Sequence, residues 1–212
     1  MAPKEALDQL DQSLSRIIHA FAKAEEDSKI FMAKWDIKDG FWRMDCEQGE
    51  EYNFAYVLPQ EEDMPITTLV VPTSLQMGWV ESPPYFCAAT ETARDIASDY
   101  CDTPIGSLPH HKFATHATRD KEFNKLPRTS DVVGFFYALE VYVDDFMSII
   151  IPTSQEQLEN VEGAIMTGIH DVFPADIVDS NDPISKKKLY HGACPRSRIR
   201  LCWSSELKRF NK

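Results

Sequence analysis

The sequence predicts an α+β fold, an antiparallel sheet backed by helices, and three observations carry that prediction. Segments of helical and strand periodicity follow one another as helix, strands, helix, strand pair, helix, without the regular strand–helix alternation of a parallel sheet. Two apolar runs, VGFFYALEVY and FMSIIIP, are separated only by the short stretch that holds Asp144 and Asp145, which is hairpin spacing. A chain of 212 residues with 43% hydrophobic content fills one main core and at most a small appendage.

The first element is an amphipathic helix over residues 4–27, with Leu7, Leu10, Leu14, Ile17, Ile18 and Phe21 at helical spacing. KIFMAKWDI reads as a strand carrying Asp36 at its end, and DGFWRMDCEQGEE as a turn region. Two more strands, YNFAYVLP and ITTLVVP, flank the acidic loop QEEDM. A helix follows to about residue 100, with Ser82 placed to cap it and Pro83 at its first position. Residues 101–130, rich in Pro, Gly, His and polar groups, read as a surface insertion. After the strand pair comes a helix opened by the capping box Ser154-x-x-Gln157 and stopped at Pro174. The division is therefore an N-terminal helix (1–29), a main domain (30–185) and a basic tail (186–212) expected to be poorly ordered.

The chain's net charge of −12 sits awkwardly with nucleic-acid binding, which needs local Lys and Arg, unless the acids lie away from the binding face. Cys46, Cys87, Cys101, Cys194 and Cys202 are odd in number and lack CxxC spacing, which fits reduced thiols in an intracellular compartment. No apolar run approaches the ~20 residues of a membrane span, so no membrane partner is expected.

Taken alone, VYVDDF reads as a hairpin turn, because Asp tolerates tight-turn backbone. A turn at the lip of a sheet also holds carboxylates outward on a rigid support. Asp36 ends another apolar strand, and if the two strand ends are neighbours, Asp36 and Asp144 face each other. Carboxylates ~4 Å apart repel by about 4 kcal/mol at an effective dielectric of ~20, so the arrangement needs a proton or a cation. Mg²⁺ suits a few carboxylates plus substrate phosphates.

KWDIKDGFWRM, LQMGWVESPPYF and YVDDFMSII resemble, in order and context, three motifs of the reverse transcriptases of retroelements. The resemblance covers about residues 30–152, and the helix to residue 174 fits as well. It implies a polymerase palm with partial fingers: an RNA-directed DNA polymerase that adds deoxynucleoside triphosphates to a primer on an RNA or DNA template. Two Mg²⁺ ions are implied, with Mn²⁺ as a substitute, and other regions of a retroelement polyprotein as partners. Asp36 resembles the first metal-binding carboxylate, joined by the Ile37 carbonyl; Asp144 resembles the second, and Asp145 the supporting acid. Phe41 resembles the aromatic gate beneath the nucleotide sugar. Met77, Gly78 and Tyr142 fall at nucleotide-binding positions, and Trp79, Ser82 and Pro83 along the template–primer groove. Many relatives have Gln or Phe where Met77 stands, and no thumb pattern is recognisable beyond residue 190.

Two rivals stand beside this reading. One is a catalytically inactive, degenerate retroelement fragment acting as a nucleic-acid or protein binding module, which the net charge favours. The other is an RNA-dependent RNA polymerase, against which Phe41 argues because its ring would meet a 2′-hydroxyl. Gly163 to Gly168 has the outline of a phosphate loop but lies in an amphipathic helix and lacks the Lys-Ser/Thr ending. His110, His111 and His116 read as solvated, His191, Cys194 and Cys202 lack zinc spacing, and Lys186–Lys188 read as a solvated run.

Overall fold

The computed structural model of the chain describes residues 3–22, 29–37, 40–59, 67–111, 125–131, 135–173 and 202–203. Its elements run α1 (Glu5–Ala22), β1 (Phe31–Asp36), two 3₁₀ turns (Gly40–Arg43 and Glu51–Phe54), β2 (Tyr56–Val57), β3 (Leu69–Val70), α2 (Ser82–Cys101), β4 (Phe136–Tyr142), β5 (Asp145–Ile151), α3 (Gln155–Val172) and β6 (Cys202–Trp203). The main sheet has the order β4-β5-β1-β6, and its paired neighbours are all antiparallel. The expected antiparallel sheet backed by helices is present.

Strand alternation decides what each face touches. Phe31, Ala33 and Trp35 of β1, Leu139 and Val141 of β4, and Phe146 and Ile150 of β5 point to one face. There they meet Phe86, Ala93 and Ala97 of α2 and Leu158, Val161, Ile165 and Ile169 of α3. The opposite face carries Met32, Phe136, Ala138, Met147 and Ile149, which gather with Ile17 and Ala20 of α1. Helix α1 is fastened to β4 by Arg16, whose guanidinium lies 2.6 Å from Glu140, and by the Ser13 hydroxyl donating to the Val141 carbonyl. Lys34, Asp36 and Asp145 continue the α1 face by the same alternation, at the strand ends where the sheet meets solvent.

Helices α2 and α3 pack closely. A Cβ at Gly168 would lie 2.7 Å from Ala97 Cα and Cβ, so only glycine fits. The glycine that the sequence placed in a helix therefore sets a helix crossing. Helix α3 opens with the expected capping box: Ser154 Oγ accepts from Gln157 N–H and Gln157 Oε1 accepts from Ser154 N–H, both at 3.3 Å.

Two expectations change. Ser82 is not a cap: it is the first residue of α2, and its buried hydroxyl donates to the Gln76 carbonyl at 2.8 Å. Pro83 and Pro84 in the first turn have no N–H, so two of the donors a cap would satisfy do not exist. YNFAYVLP is mostly not strand. Asn53 N–H donates to the Glu50 carbonyl and Ala55 N–H to the Tyr52 carbonyl, which closes a 3₁₀ turn, and only Tyr56–Val57 remain to pair with Leu69–Val70. Three of these four residues are exposed, so no buried face rewards a longer ladder. Helix α1 is described to Ala22, and residues 23–28, the loop QEEDM and Pro174 lie outside the described residues. Of the basic tail only Cys202–Trp203 are described, paired with Phe31 and Met32. No helix among the described residues is long and apolar enough to cross a membrane.

Candidate metal centre

Backbone pairing builds the centre. Asp36 closes β1 and Asp145 opens β5, and the two are register partners in the antiparallel ladder. Asp144 stands in the two-residue turn between Tyr142 and Asp145, themselves cross-strand partners. The Ile37 N–H donates to the Asp144 carbonyl at 3.0 Å, which ties the turn to the end of β1. Beneath it Trp35, Ile37, Val141 and Phe146 are buried, a rigid apolar support. One oxygen from each of Asp36, Asp144 and Asp145 lies within 4.8 Å of the others. Val143 has φ of 57°, a conformation that costs a β-branched residue about 1–3 kcal/mol and is sustained by the paired strands on either side.

The acids strain one another electrostatically. Burial, then the charges of Asp144 and Asp145, push the Asp36 carboxyl above the usual carboxylate range. Burial also raises Asp144, with Asp145 adding to it and hydrogen bonding within its own backbone opposing it. Lys34 Nζ is 2.7 Å from Asp145 Oδ2, and this hydrogen bond raises the lysine. The other oxygen, Asp145 Oδ1, is buried, and a hydrogen bond between the Asp36 and Asp145 carboxyls adds to the rise of Asp36. Three hard oxygen donors that repel one another form a group that could hold a metal ion. Lys34 is a residue of the centre that the sequence analysis did not single out. Its position two residues before Asp36, on the same strand face, is the signal that assigns it to the acids.

The other candidate residues lie as follows. Phe41, in the 3₁₀ turn Gly40–Arg43, is half-buried with its ring 4.9 Å from that of Phe86. Gly40 has no room for a side chain because a Cβ would overlap the Phe86 ring. Ile37 is buried, with its N–H spent on Asp144. Tyr142 and Met77 are exposed, and Gly78 takes a φ of 94° beside Met77 that suits glycine. Pro83 is half-buried in the first turn of α2, and Ser82 is held inside the fold. Trp79 lines a cavity with Phe54 and Tyr85, whose lining includes none of the three acids of the centre.

Among the described residues, Asp36, Asp144 and Asp145 form the only group of three or more metal-ligating side chains. The ring of His111 lies 4.8 Å from that of His170, and His110 is exposed. His116, Lys186–Lys188, His191 and Cys194 lie outside the described residues. No family model matches the chain, and no curated protein aligns with it.

Proposed function

We propose that the chain is the palm, with part of the fingers, of an RNA-directed DNA polymerase from a retroelement. One observation carries the reading: three acids from segments more than a hundred residues apart in sequence share one strand-end site, within 4.8 Å, on an antiparallel sheet backed by two helices. A hairpin turn alone does not require Asp36 to be there.

In this reading Asp36 and Asp144, with the Ile37 carbonyl, would hold Mg²⁺, and Asp145 would support them. When bound, divalent ions lower the pKa of a primer 3′-hydroxyl and neutralise charge on the departing pyrophosphate. The chain's own part is positioning: the Ile37–Asp144 hydrogen bond fixes the turn, and Phe41, braced by Phe86, offers a flat apolar floor for the sugar. Tyr142, Met77 and Gly78 are exposed, and in this reading they supply the nucleotide contacts. The template–primer role is kept for Pro83; the burial of Ser82 removes its hydroxyl from that role.

The test is primer extension on an RNA template by the purified chain, with Mg²⁺ and with chelator, alongside Asp144→Asn. Mg²⁺-dependent extension by the wild-type chain that Asp144→Asn abolishes supports the polymerase. Mn²⁺ binding without extension or nucleotide binding favours the degenerate binding module, a reading that the net charge of −12 supports. Absence of both metal binding and extension sinks the metal centre.

A further inference from the structure

A second site lies apart from the three acids. Met44, Asp45, Cys46, Glu47, Glu50, Asn53, Phe54, Leu75, Trp79 and Tyr85 line an open-sided cavity of about 620 Å³, within the size range of small-molecule pockets. Three aromatic rings form one wall. Phe54 meets Trp79 edge-on at 4.9 Å, and Trp79 runs nearly parallel to Tyr85 at 6.2 Å. The floor is pinned by backbone pairing, since Cys46 N–H donates to the Thr73 carbonyl and Leu75 N–H to the Met44 carbonyl, both at 2.8 Å. Asp45, Glu47 and Glu50 supply three exposed carboxylates, and the lining contains no Lys, Arg or His.

We propose that this cavity recognises an alkylated ammonium group. Phosphate and nucleic acid are disfavoured, because no Lys, Arg or His among the described lining residues balances the carboxylates. A bare divalent ion is disfavoured too, because Asp45, Glu47 and Glu50 do not converge as a metal-holding group, whereas the strand-end acids do. What remains is a cation with an apolar shell, which gains from the faces of aromatic rings and from nearby carboxylates without demanding a ligand cage. Glu50 Oε2 accepts from Asn53 Nδ2 at 2.7 Å, which orients one of the three carboxylates. The inference stands independently of the polymerase reading.

The experiment titrates the full chain with choline and with 3,3-dimethylbutan-1-ol, its uncharged carbon analogue, by calorimetry. Choline is expected to bind at least about tenfold more tightly, a ratio within reach of aromatic and carboxylate contacts together. That preference is expected to collapse both in Asp45→Asn/Glu47→Gln/Glu50→Gln and in Trp79→Leu. The triple variant changes only exposed side chains, and a cooperative thermal melt like that of the wild-type chain serves as the control for folding of both variants. Equal binding of the two probes, no choline binding by the folded wild-type chain, unchanged preference in either variant, or displacement of choline by millimolar Mg²⁺ would each overturn the proposal.

Discussion

Lys34 Nζ lies 2.7 Å from Asp145 Oδ2, on the same sheet face as Asp36 and at the strand ends where the acids meet. The ammonium supplies charge balance that a divalent ion would otherwise provide. A metal ion held at Asp145 would therefore compete with the lysine.

Lys34→Ala is expected to raise Mn²⁺ affinity and to destabilise the metal-free chain. The Lys34 side chain is 53% exposed, so solvent screening limits the pair to about 0.5–1 kcal/mol, or a two- to fivefold gain in metal affinity. Calorimetry or electron spin resonance reads the affinity, and thermal melts in chelator read the stability. A loss of affinity would mean that Lys34 helps to assemble the centre.

How much of this was legible depended on whether burial supported the local pattern. The runs around Asp144–Asp145 were readable because β4 and β5 bury alternate residues on both faces, and the capping box of α3 because its bonds are local. Asp36 was readable as a strand end, and its approach to Asp144 only as a condition until the resemblance implied a shared site; the register pairing with Asp145 was not foreseen, since register between distant strands leaves no mark in either segment. YNFAYVLP misled because β-propensity needs a face to cover, and β2 has none. Ser82 misled because a cap was assigned without asking whether two prolines left N–H groups to accept from. The cavity around Trp79 was not legible at all, as its wall and carboxylates come from three separate stretches.

The two glycines of α3 should respond oppositely to alanine. Gly163 has no atom within 4 Å of an added Cβ, so Gly163→Ala is expected to stabilise by about 0.5–1 kcal/mol through helix propensity. At Gly168 the added carbon meets Ala97 at 2.7 Å, backbone included, and overpacking is expected to cost about 1–3 kcal/mol. Urea unfolding of both variants checks the pair. Similar effects of the same sign would mean that α2 and α3 do not cross at Gly168.

The thiols should separate by burial. Burial, then the charges of Glu91 and Asp144, pushes Cys87 up to about 11, while burial, then Asp102, pushes Cys101 up to about 12. Both folded values lie above the ordinary thiol range, so the folded chain keeps protons that the unfolded chain releases. Their contribution to stability is complete below the unfolded thiol value and is lost as pH rises through the folded values near 11 and 12. Peptide-mapped alkylation at mildly alkaline pH should label half-buried Cys46 well before Cys87 and Cys101, which react only after denaturation. Early labelling of Cys87 would show that the α2 face of the core opens locally.

Phe41 tests the polymerase reading at the sugar. Its ring sits 4.9 Å from Phe86, and Phe86 in turn fills the space where a Gly40 side chain would stand, so the ring has firm backing and cannot easily yield to a 2′-hydroxyl. Discrimination by overlap can exceed the ~1–3 kcal/mol that one methylene-sized contact gives in a permissive pocket. If Phe41 only fills space, Phe41→Val should cost about 1–3 kcal/mol of stability and leave nucleotide choice unchanged. If it is the gate, the wild-type chain loaded with Mn²⁺ should bind a deoxynucleoside triphosphate at least about tenfold more tightly than the ribonucleotide, and Phe41→Val should narrow that ratio to about threefold or less. Competition against a fluorescent nucleotide measures the ratio without requiring turnover. An unchanged ratio in a folded, metal-binding Phe41→Val chain would remove the gate and reopen the choice between DNA and RNA synthesis.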